Sequence, residues 1–311
     1  RIARLGSGFL RLAVLEVSLM LITTGLAVVL SRTPLPAGDE VFIGRAEVLL
    51  SGPVPPEPTW ARVLWGWEPN GFGLLVVGLG SAFYLYGVIK LRRRGDSWFV
   101  GRTISWLFGL LLVAWATFGG LGDYSAVMFS LHMISHMLLA MIAPIFLVLG
   151  APATLALRTL PGPRRPGELS PRKLLNDFLH SKVSRFYTHP VVAGVIFIGS
   201  LYAVYFSDLF EFLMGSHLGH AVMEFHFLLS GFLFYYVVVG IDPSPRQLPP
   251  MMRMLVIMIA LPFHAFFSVA LMSSMAIVGE SYFRMIDRPY AQDLLVDQHF
   301  GASVSWAMGE I

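Results

Sequence analysis

Residues 129–149 read Phe-Ser-Leu-His-Met-Ile-Ser-His-Met-Leu-Leu-Ala-Met-Ile-Ala-Pro-Ile-Phe-Leu-Val-Leu. No Asp, Glu, Lys or Arg interrupts them. A helix of this length rises to roughly 30 Å, the thickness of a bilayer's hydrocarbon core. The stretch reads as the main part of a membrane span over 126–149, with two histidines inside it. Six more complete apolar runs lie near 8–30, 71–90, 103–121, 190–207, 219–240 and 251–278. An eighth begins at His299 and stops at Ile311, too short to cross. The fold expected is an all-α, polytopic transmembrane helix bundle of seven complete spans and a truncated eighth.

Composition agrees. Of 311 residues, 56% are hydrophobic and 13% charged, and the mean hydropathy is +0.69. A soluble domain carries about a quarter charged residues, so an aqueous enzyme and a disordered tail are both disfavoured. There is no cysteine, which excludes disulfides, thiolate zinc sites, cysteine-held iron–sulfur clusters and CxxCH haem attachment. Any metal site must draw on the nine His, the fifteen Met or the carboxylates. The chain begins at Arg1 and ends within an apolar run. It is read as part of a longer protein.

Charge alternates between the connecting segments. The start, 90–102, 150–189 and 241–253 hold 17 of the 22 basic residues and 4 acidic ones. The intervening set (31–70, 119–125, 208–218, 279–298) holds 5 basic and 12 acidic residues. By the positive-inside rule the first set is cytoplasmic, and an even span count places both ends inside. The basic runs therefore report topology rather than nucleic-acid or lipid binding. Three parts are expected: 1–33 as the last helix of a preceding membrane domain, 34–69 as an external Pro-rich linker with a short helix near 41–50, and 70–311 as the main helical domain. Pro144 and Pro262 fall inside spans and should bend them.

Ionisable side chains inside a span are costly and usually mark function. Here they are mostly histidines at one depth. His132 and His136 are four residues apart and share a helix face, about 9 and 15 Å below the outer end of their span. Met133 and Met137 form a second pair beside them. The span over 219–240 carries His220, Met223 and Glu224 on one face, with His226 three residues beyond Met223. His264 sits near mid-depth after Pro262, and His299 opens the last run. Imidazoles and thioethers without thiolates favour copper, Cu(I) in particular, although imidazole alone also suits zinc. Haem is the competitor, with His136 and His226 as an axial pair; an i, i+4 pair on one helix cannot bracket a single porphyrin. The expected metal residues are His132, His136, His220, Met223, His226, Met137 and His264. Each single histidine taken alone, His264 included, reads first as a packed core residue. Glu224 reads as a group that orients a histidine or carries a proton, and Glu16 as the partner of a preceding helix. No phosphate loop, serine-hydrolase elbow or HExxH occurs, so no enzyme signature is present.

Over about residues 60–311 the sequence resembles the CtaG-type family of membrane cytochrome c oxidase assembly proteins. The resemblance is carried by His132-Met-Ile-Ser-His136 through Pro144, by Leu149-Gly-Ala-Pro152 and by His189-Pro190. It continues in His220-x-x-Met223-x-x-His226-Phe227 up to Ser230-Gly231, in Pro262-Phe-His264-Ala, and in Asp297-Gln-His-Phe-Gly301 leading to Trp306-Ala-Met-Gly-Glu310. The chain departs from the family pattern at His299, where a second glutamine is usual, and it lacks the final charged helix. The resemblance implies an assembly factor of the bacterial plasma membrane that handles copper for a haem–copper oxidase, with the oxidase subunits as partners. Residues 1–33 resemble the last helix of a copper resistance D-type domain. A copper transporter, a haem-bearing electron carrier and a metal-free scaffold of the respiratory chain are the alternatives.

Overall fold

A computed structural model describes residues 44–310, apart from 51, 69–70, 164 and 166–167. The expected span over 8–30 and Glu16 lie outside the described residues. So does the helix likened to copper resistance D. Every regular element among the described residues is helical, with one isolated bridge between Trp67 and Gly119. The long helices are α1 (Gly71–Arg93), α2 (Val100–Thr117), α3 (Phe129–Met137), α4 (Ala143–Leu149), α5 (Pro190–Tyr205), α6 (His217–Val239), α7 (Pro250–Ser273) and α8 (Leu294–Glu310).

Among the described residues, five segments are long and apolar enough to cross a membrane: Gly73–Arg93, Val100–Thr117, Phe129–Thr159, His217–Val239 and Pro250–Ser273. The chain is thus a multi-pass helical membrane protein. The expected span over 190–207 is shorter than its composition implied. Pro190 starts α5 afresh after His189 in extended backbone, so the helix has 16 residues, about 24 Å, against a core of about 30 Å. It reaches span length only together with Pro171–Tyr187, which meets it at a 61° bend. Helix α8 has 17 residues and starts at Leu294, five residues before the expected His299.

The centre of the molecule is the pairing of α3 and α4 with α6 and α8. Within the span Phe129–Thr159 56% of the most apolar window is buried, against 22% for Gly73–Arg93, so α1 is peripheral and α3 central. Between α3 and α4 the chain widens into a π-helical turn, Leu138–Ile142. Pro144 explains it: proline has no N–H for the Ala140 carbonyl, and its ring crowds that carbonyl. The expected bend at Pro144 is thus taken up by a π turn, a device often found beside functional sites. Gly231 of α6 lies against the same carbonyl so closely that a Cβ would overlap it, which fixes how deeply α6 seats on the turn. Pro262 is tolerated within continuous α7.

Helix ends are closed by chemistry near and far. Ser216 caps α6 locally, accepting from the Gly219 N–H at 3.0 Å, and Gly240 ends it in the left-handed conformation at φ 59°. Helix α3 has no local side-chain cap. Asp297 at the start of α8 accepts instead from the Phe129 and Ser130 N–H groups at 2.9 and 3.3 Å. The described part of the Pro-rich segment contains the short helix Arg45–Leu50. It is tied to the helix ends by Tyr124 and Tyr290, whose hydroxyls donate to the carbonyls of Pro56 and Pro55 at 2.6 and 2.8 Å.

Candidate metal centre

Helical spacing puts His132 and His136 one above the other on α3, and the seating of α6 brings His220 against them. Ring centroids are 4.0 Å apart for His132–His136, 5.6 Å for His132–His220 and 5.9 Å for His136–His220. One ring nitrogen from each lies within 4.8 Å of the other two. His132 and His136 are fully buried and His220 is partly so. Phe129, Tyr205, Phe210 and Phe227 wall the group.

The hydrogen bonds decide which nitrogens are free. His132 Nδ1 lies 3.2 Å from the Ser125 carbonyl. A carbonyl only accepts, so Nδ1 carries the proton and Nε2 keeps its lone pair. His136 Nδ1 lies 3.3 Å from the Tyr205 hydroxyl, and in the tautomer that donates to this oxygen its Nε2 is free as well. The Nε2 atoms of His132, His136 and His220 are all buried and have no hydrogen-bond partner. Three orphaned imidazole nitrogens converging in an apolar box are unfavourable unless something accepts their lone pairs. A three-coordinate centre with bonds of about 2.0 Å needs nitrogens roughly 3.5 Å apart. Separations within 4.8 Å bring that geometry into range by inward shifts of about 0.7 Å at most. A buried imidazole whose other nitrogen donates to a carbonyl is how proteins orient metal-binding histidine.

The other expected residues separate. Met137 is buried, and its sulfur meets side chains of α7 and α8. His264 Nε2 lies 3.4 Å from it and the Ser305 hydroxyl 3.5 Å. His264 also contacts Gly309, where a Cβ would collide with the ring. Met223 is buried in the core cluster with Phe227 and Phe267. His226 is half-buried beside Phe227 at 5.7 Å and stands outside the three-histidine group. Its six-residue offset from His220 turns it about 240° around α6. The structure therefore joins His132, His136 and His220, and His226 and His264 stand outside that group. Glu224, one turn below His220, is 1% exposed with both carboxyl oxygens unpartnered. His299 leans on the Ser274 carbonyl at 3.0 Å.

A buried ion pair holds the end of the site at the start of α3. Arg288 and Asp297 meet at 2.9 Å with side chains 2% and 4% exposed. Arg288 also donates to the carbonyls of Val127, Tyr290 and Ala291. Asp297 thus links Arg288 to the first turn of α3, the turn that sets the height of His132. The rim is dry: burial, with the charge of Glu68 adding to it, pushes Asp123 up to about 6, and burial pushes Tyr290 up to about 12. Sequence reasoning passed over Arg288. Its only signal was a cation in an acidic external segment.

Fold and site together define a multi-pass helical membrane protein with a buried three-imidazole group between two of its central helices. Residues 82–311 match the cytochrome c oxidase caa3 assembly factor family (Caa3_CtaG), and the chain belongs to that family. It is 42% identical over 270 residues to uncharacterized proteins of Mycobacterium bovis and Mycobacterium tuberculosis. It is 38% identical over 268 residues to one of Mycobacterium leprae. Each match covers 85% of this chain and 40% of the relative, so the chain spans well under half the length of these proteins. No solved structure matches it.

Proposed function

We propose that this chain serves in the assembly of a haem–copper cytochrome c oxidase by holding copper, as cargo, on His132, His136 and His220. The observation that carries the reading is a group of three histidines, one ring nitrogen of each within 4.8 Å of the other two, whose buried Nε2 atoms all lack hydrogen-bond partners. A single unpartnered nitrogen also occurs at His264, but among the described residues only here do three such histidines fall in one group. Three neutral imidazoles with no added negative charge suit Cu(I), and Glu224 one turn away offers a carboxyl to offset the cation's charge. The family's role in oxidase assembly supports copper over zinc and oxidase subunits as partners. A porphyrin between His136 and His220 would have to displace His132, whose ring lies 4.0 and 5.6 Å from theirs.

The membrane is the bacterial plasma membrane, in keeping with the mycobacterial relatives. The segments rich in Lys and Arg face the cytoplasm. The three histidines then sit in the outer half of the bilayer. Copper enters from outside and leaves by ligand exchange to the oxidase, with no covalent catalysis by the protein.

The test is oxidase activity in membranes of cells whose only copy carries His132→Ala/His136→Ala. Activity should fall several-fold while immunoblots show this protein at its normal level. Unchanged activity at normal protein level contradicts the proposal.

A further inference from the structure

We propose that a cleft at the opposite end of α5 from Tyr205 binds the phosphate of an anionic phospholipid. The cleft has a volume of about 430 Å³ and is lined by Lys182, Arg185, Phe186, His189, Val192 and Arg246. It lies roughly 22 Å along α5 from the histidine group and is independent of the copper reading.

Three cations and no carboxylate line this space. Among the described residues, none of the three forms an ion pair. His189 adds a buried Nδ1 with no hydrogen-bond partner. Charges that merely set topology have no reason to converge from two separate segments, 182–189 and the loop before α7, around an orphaned imidazole nitrogen. An anion with several acceptor oxygens satisfies all four groups at once.

The surroundings identify the anion as a lipid's. The helices Pro171–Leu179 and Lys182–Tyr187 leave the axis of α5 at 61°. Leu174, Phe178, Val183, Phe186 and Tyr187 are all exposed on them, from 46% to 59%. A short amphipathic pair that turns off a span and shows an apolar face lies along the bilayer surface. That places the cleft at headgroup depth, where basic pockets between helices take up anionic headgroups. Phe186 and Val192 give it an apolar wall for the start of an acyl chain. Free phosphate would use the cations and leave that wall without a partner.

The test uses the full chain in mild detergent, incubated with an equal mixture of phosphatidylglycerol and phosphatidylcholine. Retained lipid is counted by native mass spectrometry. Wild type should keep phosphatidylglycerol preferentially, and Lys182→Gln/Arg185→Gln/Arg246→Gln should lose that preference by at least about tenfold. The charge-conserving Arg185→Lys/Arg246→Lys should retain most of it. Thermal melting of each variant checks folding, and Arg185→Gln alone gives a smaller loss in the same direction. Equal phosphatidylglycerol retention in wild type and the folded neutralised variants overturns the proposal. So does complete displacement of the lipid by inorganic phosphate, which would make the cleft a site for the free anion.

Discussion

Two buried polar clusters flank helix α3, one of three histidines and one of a histidine, a methionine and two serines, and they are partnered differently. On one face His132 and His136 meet His220 with three Nε2 atoms free. On another, Met137 meets His264 and Ser305, and Ser305 meets Ser268 at 3.1 Å. In the second cluster the polar atoms largely partner one another and Gly309 leaves room for the ring. It is a polar joint between α3, α7 and α8, and His264 keeps one unpartnered nitrogen there. Composition alone does not mark a ligand set. What marks it is several lone pairs left open at one point.

The largest effect on stability should come from the support shared by both clusters. Asp297→Ala strips the cap from α3 and leaves Arg288 charged and buried. Breaking a buried pair in this way costs about 3–5 kcal/mol. Thermal melting in detergent should fall accordingly, and copper binding at His132 should weaken with it. Adding Arg288→Met should recover part of the loss, since the stranded charge is then gone. If the single variant melts like wild type, the ion pair does not hold the site.

A smaller effect separates the two clusters directly. His264→Ala empties a packed joint at a cost of about 1–2 kcal/mol, while the three Nε2 atoms stay in place. Melting temperature should drop modestly with copper content unchanged. Loss of copper in a folded His264→Ala protein would mean the second cluster is part of the metal centre and would erase the contrast.

Much of this was legible in the sequence. The i, i+4 spacing of His132 and His136, and the matching depth of His220, anticipated the three-histidine group, within a wider set of seven expected metal residues. Helix periodicity also carried a warning that depth alone obscured: His226 lies about 240° around from His220. Other features were beyond reach because they depend on distant partners. Met137 and His264 are 127 residues apart, and no local pattern says that the sulfur meets α7. The cap on Phe129 comes from 168 residues away, where local capping rules look only at the preceding residue, Met128. The span over 190–207 was misjudged in length. Pro190 begins a helix, and apolar composition does not reveal the bend before it.

The central claim is that three converging nitrogens bind copper, and the most direct measurement is metal content. The detergent-purified protein is loaded with Cu(I), washed, and counted for copper, zinc and iron by mass spectrometry, beside His132→Ala/His136→Ala and His226→Ala. The account predicts about one copper retained by wild type and by His226→Ala, and none by the double variant. Equal copper in wild type and double variant, or none in either, would contradict it and leave the histidines as packing residues.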